Sequence, residues 1–526
     1  RPEYRPDWLP GGSFRADITS EYLGVGYIIG PRIAGTIFAG GVFSWLVLMP
    51  AIKFFGSLAG DTPLLPSIVP IPQMTPDQLW ASYIRPMGAG AVATAGLITL
   101  MKTIPTILAA LGAGLKDVRA QSGGQAPASN RLERDLSMKW VIFGSMALIA
   151  LMWLLLTFKP VPGASTGVGA NLISSIFVIV FGFLFVTVSS RICGLIGTSA
   201  NPISGMTIAT LMATCAMFLL AGWTGPAYSA LALTIGGVVC IAAANAGATS
   251  QDLKTGYLVG ATPSSQQIAL IIGVMVSVFV IGGTLMLMNV GLQRFEKKQL
   301  AIDINNLPDG VTIEKQQYTY EGKDYILLNS FASSKVAQGK YLYDRDTQQI
   351  EVEWKTGIGG DQAAAPQANL MATVIHGILN QKLPWRLVLL GVFLVIAIEL
   401  LGIRSLSFAV GSYLSIATTM AIFTGGLVRW LAERGREAKG GHAESEVSPG
   451  SLYASGLIAA GGVIGLLAIV INVLGDPHLG IRLIPDGVLR VGPRLLGDWA
   501  TGNFLGIAMF FLLGFSLFHF ARKKMD

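Results

Sequence analysis

The sequence predicts an all-α polytopic membrane protein, built from two related multi-helix halves with broken helices, plus a small extramembrane β-rich insert. Three observations carry this. Apolar runs of about 20 residues or more recur along the chain, and at about 1.5 Å per residue each can cross a hydrocarbon core of about 30 Å. Only 13% of the 526 residues are charged, 52% are hydrophobic and 64 are glycine, a balance that leaves too little polar surface for a water-soluble domain. A 22-residue block also occurs twice: VGYIIGPRIAGTIFAGGVFSWL (25–46) and VGSYLSIATTMAIFTGGLVRWL (410–431) align without a gap at a constant offset of 385, with eight identities.

From the N-terminus, apolar segments fall at 22–50, 81–112, 139–158, 170–190, 203–222, 228–247, 266–292, 385–402, 406–432, 452–474 and 500–520, which makes roughly eleven crossings. Several exceed what a straight span needs, so breaks are expected, notably at Gly30–Pro31 and Ile104–Pro105, because proline lacks the N–H that a helix interior uses. The basic stretches 115–139, 429–439 and the terminal ARKKMD are expected on the cytoplasmic side. Within 293–367, YTYEGKDYILL and YLYDRDTQQIEVEW alternate apolar residues on both sides of a polar turn, the pattern of β-hairpins. An amphipathic segment at 365–385 then leads back to the membrane.

The expected organisation is therefore an N-terminal transmembrane half (1–292), the insert (293–367) and a C-terminal transmembrane half (368–526). The second repeat copy is preceded by another apolar segment and the first by only 24 mostly polar residues, so the first half reads as incomplete. Repeats of this size are how many transporters are built, with the substrate site near the repeat interface. Whether the copies are parallel or inverted, and on which side the insert lies, the sequence leaves open.

The composition narrows the function classes. The net charge of +7 sits mostly in loops and ends, which fits the bias of cytoplasmic loops better than nucleic-acid binding. Cys193, Cys215 and Cys240 lie in or beside apolar segments without C-x-x-C spacing, and the four histidines are dispersed, so no metal site and no cofactor is expected. The Gly-Lys pairs at 322–323 and 339–340 continue with Asp and Tyr rather than completing a phosphate loop, and H-E-x-x-H is absent. No catalytic residues are expected, and energy for transport would come from a gradient. The alternatives are a membrane-embedded enzyme, which needs clustered acids and histidines, or a channel or structural subunit.

Three places carry candidate chemistry. In GTSANPISGMTIATL (197–211), Asn201, Pro202, Ser204, Gly205 and Thr207 interrupt a hydrophobic run, and unpaired backbone at membrane depth is tolerated only in protein or a wet cavity. In AGATSQDLKTGYLVGATPSSQQ (246–267), read as a polar connection, Thr249, Gln251, Asp252, Lys254 and Tyr257 are substrate-binding candidates expected to share an interior with 201–207. Glu399, in LVIAIELLGIRSL, is the proton-coupling candidate, because an ionisable group in an apolar segment is costly unless it works. A helix-end salt bridge to Arg404 is the plainer reading.

LGVGYIIGPRIAG, TSANPISGMTI, TSQDLKTGYLVGATP, APQANLMATVIHGILNQKLPWRLVLLG and AVGSYLSIATTMAIFTGGLVRW, in this order, resemble the oligopeptide transporter family in its bacterial form, related to the yellow stripe-like metal-chelate carriers. The resemblance implies about sixteen helices in two related halves, so about five N-terminal ones would be absent here. It further implies a proton-coupled importer of small peptides or peptide-like metal chelates, expected in the bacterial inner membrane and as a homo-oligomer. One departure is Ala248, where an Asp or Asn is expected before Thr-Ser-Gln-Asp-Leu-Lys.

Overall fold

The computed structural model describes residues 2–58, 70–99, 131–159, 166–195, 203–304, 306–308, 311–330, 339–359, 385–437, 448–474 and 503–523, with a few isolated residues between them. Within these, seven helices are long and apolar enough to cross a membrane: Pro31–Ser57, Lys139–Phe158, Val168–Gly194, Ala227–Leu258, Pro263–Leu292, Pro449–Ile471 and Asn503–Ala521, with a shorter apolar helix at Gly205–Leu220. Their outward faces carry large apolar side chains, such as Phe143, Phe279 and Phe511, which suits lipid as the solvent. The 385–402 segment folds as a sixteen-residue helix, while Ile104 and the chain beyond 105 up to 130 lie outside the described residues.

The chain divides into two compact units, residues 1–85, 281–366 and 410–526, and residues 86–280 and 367–409. The first is built around the repeat. Its first copy contains α1 (Ser20–Ile29) and α2 (Pro31–Ser57). Between them Gly30 adopts φ 84°, a left-handed conformation open to glycine, and Pro31 opens the next helix where its missing N–H costs nothing. The segment 22–50 thus breaks at Gly30. The second copy breaks at the equivalent place, between Ser405–Tyr413 and Ile416–Glu437, because residue 415 is residue 30 shifted by the repeat offset.

The equivalent helices after the breaks, α2 and Ile416–Glu437, run antiparallel. Going down α2 from Gly41 through Phe38 and Ala34 to Gly30, the partners rise from Thr419 through Phe423 and Gly426 to Arg429. Contacts are also reciprocal under the offset. A side chain on Gly26 would strike the Ile422 carbonyl, and one on its equivalent Gly411 would strike the carbonyl of Ile37, the equivalent of Ile422. Gly41 meets Thr419, and Gly426 meets Ala34, the equivalent of Thr419. Phe38 stacks on its own equivalent, Phe423, with centroids 4.6 Å apart. The two copies are inverted repeats about a local two-fold through that ring pair, the arrangement found in many secondary transporters.

The same unit carries a five-stranded antiparallel sheet, β1 (Arg294–Ala301), β2 (Val311–Tyr320), β3 (Lys323–Ser330), β4 (Gly339–Asp344) and β5 (Gln349–Lys355), ordered β1-β5-β4-β3-β2. Glu321 (φ 50°) and Gly322 (φ 79°) make the two-residue turn between β2 and β3, both left-handed as a tight hairpin of this twist requires. Edge strands β1 and β2 would stand roughly 19 Å apart in a flat sheet. Phe295 of β1 and Tyr320 of β2 instead have ring centroids 4.5 Å apart, so the sheet curls until its edges meet. Outside the bilayer segments, Asp344 is buried and accepts from Lys323 Nζ at 2.6 Å and from the N–H groups of Asp346 and Thr347. The Lys323 ammonium holds the Asp344 carboxyl well below the usual carboxylate range.

Candidate functional site

The second unit holds the residues singled out in 201–257. There α3 spans 76–99, its residues from 86 onward lying in this unit. It is followed by α4 (Met138–Phe158), α5 (Val168–Leu195), α6 (Ile203–Leu220) and α7 (Pro226–Leu258). Asn201 and Pro202 lie outside the described residues, and so does the side chain of Ser204. The described chain leaves α5 at Leu195 and re-enters helix at Ile203. Gly205 faces α3, where an added Cβ would stand at ordinary contact distance, 3.4 Å, from the Gly96 carbonyl. Thr207 is buried and returns its hydroxyl to the Ile203 carbonyl at 2.9 Å, the usual satisfaction of a threonine inside a helix.

The 246–267 stretch is not a loop. Helix α7 continues through the polar residues to Leu258, and only 259–262 connects it to α8 (Pro263–Leu292). The helix ends in a Schellman arrangement, with Gly260 at φ 76° donating to Tyr257 O and Ala261 donating to Gly256 O. Polar side chains at helical spacing cost little where they are not buried in apolar packing, which is why composition alone misread this segment. On α7, Thr249 and Gln251 are half-buried, and Asp252, Lys254 and Tyr257 are exposed.

Among the described residues, the start of α6 and residues 249–257 are neighbours along α7. The start of α6 packs with Phe185, Val188 and Ile192 of α5 and with Val239 and Ala243 of α7. Ser250 donates to the Ser190 carbonyl at 2.9 Å, and Gly194 leaves room for its hydroxyl. The chain thus exits α5 beside Ser250 and returns beside Ala243, about 10 Å apart along α7 at 1.5 Å per residue. Asp252, Lys254 and Tyr257 extend further along the same helix, where no described contact joins them to Gly205 or Thr207.

Glu399 lies on α9 (Trp385–Leu400). Its carboxylate pairs not with Arg404 but with Lys102, 297 residues away, and is also hydrogen-bonded by Ser405. The expected helix-end bridge fails for a steric reason: residues five apart do not share a helix face, and the helix ends at Gly402 with φ 74°. The Lys102 ammonium is thus held by the Glu399 carboxylate charge. Gly90 and Gly391 let α3 and α9 touch backbone to backbone, which brings the ion pair together.

Several polar residues around the second repeat break were not legible as a group. The helices of that copy are α10 (Ser405–Tyr413) and α11 (Ile416–Glu437). Asp17, buried, accepts from Thr418 Oγ1 at 2.9 Å in the first turn of α11, where a carboxylate complements the helix dipole. Trp45 Nε1 donates to Leu414 O at 3.1 Å, with the Arg15 guanidinium 5.1 Å from its ring centroid. Trp80 lies between Trp45 and Tyr413. The recurrence of Trp45 as Trp430 was the available signal. Among the described residues no group of three or more His, Cys, Asp or Glu side chains gathers as a metal site would require.

Comparison with known proteins gives concordant matches. A family model described as OPT oligopeptide transporter protein matches residues 8–302 and 348–472. A Haemophilus influenzae protein named "Putative oligopeptide transporter" is 25% identical over 473 residues, covering 85% of this chain and 64% of that protein. The chain thus spans somewhat less than two thirds of the length of the curated relative it matches. With its apolar spanning helices, it is a multi-pass integral membrane protein.

Proposed function

The chain belongs to the oligopeptide transporter family, and from that membership we propose that it works as a secondary active transporter importing small oligopeptides or peptide-like metal chelates, coupled to protons, in a bacterial inner membrane. The observation that carries the reading is the pair of broken helices inverted about Phe38 and Phe423. Two inverted copies supply two equivalent conformations for alternating access, which neither a lipid-acting enzyme nor a static pore needs. The name of the Haemophilus influenzae relative supports peptides as the cargo.

In this reading Asn201, Pro202, Ser204, Gly205 and Thr207, with Thr249, Gln251, Asp252, Lys254 and Tyr257, contribute to substrate binding. Exposed Asp252 and Lys254 suit the two charged ends of a short peptide. Glu399 carries the proton, and its exchange with the Lys102 pair links protonation to movement between α3 and α9. Residues 1–292 and 368–526 are the two transmembrane halves, 293–367 is an extramembrane insert, and the protein assembles as a homo-oligomer. Uptake of labelled di- to tetrapeptides and of chelated iron into proteoliposomes, with and without an inward-acid gradient, tests the proposal. Gradient-stimulated uptake of either supports it, and no uptake above protein-free vesicles under both conditions defeats it.

A further inference from the structure

Each break in the repeat is held by a side chain from the opposite copy. The bend at Gly30 frees carbonyls at the end of α1, and Arg429 Nη1, on α11, donates to those of Tyr27 at 3.2 Å and Ile28 at 2.9 Å. The bend at Leu414–Ser415 frees the Leu414 carbonyl, and Trp45, on α2, donates to it. Under the repeat offset Trp45 is equivalent to Trp430, next to Arg429, and Leu414 is equivalent to Ile29, next to Ile28. The two holds are one contact made in both directions, displaced by a residue, with an indole in one and a guanidinium in the other.

Both donors are fixed in place. Arg429 Nε donates to Glu433 at 2.7 Å, and its guanidinium lies 6.0 Å from the Tyr27 ring centroid. Trp45 is 2% exposed and packed between Arg15 and Trp80. Between the two holds, α2 and α11 meet through the Phe38–Phe423 stack and through glycines with no slack for a methyl group. A carbonyl that loses its donor must find another hydrogen-bond partner, so opening of either break is tied to the helix that supplies the donor.

We propose that Arg429 and Trp45 are a matched pair of positioning residues that lock the two broken helices into a single hinge, so that neither break opens without the other. This deepens the transporter reading and rests on it for the transport consequence alone.

The test uses the full chain in liposomes, with Cys193, Cys215 and Cys240 replaced by Ala and one reporter cysteine at Ile28 or at Leu414. Maleimide-labelling rates are compared for Arg429→Met, Arg429→Lys and Trp45→Phe. The hinge predicts that Arg429→Met speeds labelling at the Leu414 reporter, and Trp45→Phe at the Ile28 reporter, each by about threefold or more, because local opening at one break is shared by the other. Arg429→Lys, which keeps a charged donor, restores most of the wild-type rate. Labelling that changes only at the break each side chain touches overturns the proposal.

Should Arg429→Met fail to assemble, Trp45→Phe carries the same comparison, read at both the Ile28 and the Leu414 reporters. Uptake of labelled trialanine separates the two readings. In Trp45→Phe and Arg429→Met the maximal rate should fall about tenfold with KM within about twofold, the signature of a lost conformational step rather than lost binding. Shared opening in a chain that takes up no peptide leaves the hinge standing and the peptide-transport reading defeated. Normal uptake without shared opening defeats the hinge.

Discussion

Replacing Gly26 with alanine tests the inverted-repeat core at its tightest point. The added methyl would stand against the Ile422 carbonyl, well inside the 3.0 Å below which Cβ atoms are essentially never found. The obstacle is backbone in the middle of α11, so it cannot swing away as a side-chain tip would. Overpacking of this kind costs about 3 kcal/mol, and the better helix propensity of alanine returns about 1 kcal/mol, leaving a net loss of about 2 kcal/mol. Gly411→Ala should lose the same amount, because its methyl meets the Ile37 carbonyl in the equivalent geometry. Gly35→Ala, on α2 and with nothing within 4 Å, should be neutral or slightly stabilising. Thermal melting of the purified protein in detergent, followed by size-exclusion of the surviving monodisperse fraction, reads the difference. About 2 kcal/mol corresponds to roughly 3 °C for a unit of this size. If Gly26→Ala and Gly411→Ala melt with Gly35→Ala, or if one falls and its equivalent does not, the two-fold packing argument is wrong.

Glu399→Gln should abolish the pH dependence of uptake, and unchanged pH-dependent uptake in that variant rejects Glu399 as the proton carrier. Asp252→Asn and Lys254→Met should each raise KM for trialanine about tenfold at unchanged protein abundance, since both side chains are exposed and lose only a substrate contact; an unchanged KM assigns them to plain solvated surface. Asp344 is held below the usual carboxylate range by Lys323. Its contribution to the sheet is therefore present above the unfolded value of about 3.9 and is lost as pH falls through the lower folded value. Asp344→Asn should remove that acid-labile contribution, read from Trp354 fluorescence against pH, and a profile identical to wild type contradicts the assignment.

Much of the transmembrane framework was written in hydropathy, glycine and proline, and its long-range pairings were not. The break at Gly30–Pro31 is legible because the residue types demand it, whereas its counterpart at Leu414–Ser415 has neither glycine nor proline and shows only through the repeat. Both β-hairpins could be read from alternation, but the curl that joins Phe295 to Tyr320 depends on twist accumulated over five strands. The polar run at 249–257 has the composition of a loop, yet helical continuity carries it on to the stop at Gly260. Glu399 was found as an acid in apolar sequence, and its partner Lys102 was not, because tertiary packing alone brings the two together. The orientation of the repeats emerged only when Phe38, Gly41 and Ala34 were seen against Phe423, Thr419 and Gly426. Arg429, at the same repeat position as Ser44, carries no sequence signal for the role proposed here.

The central claim, that this chain is an alternating carrier of short peptides, is tested most directly by counterflow. Proteoliposomes holding the full chain are loaded with unlabelled trialanine, diluted into a trace of labelled trialanine without any pH gradient, and sampled over time. A carrier with two exchanging conformations predicts a transient accumulation of label above its equilibrium level, abolished in the Gly26→Ala and Gly411→Ala double variant. A monotonic approach to equilibrium, or no entry beyond protein-free vesicles, would contradict it.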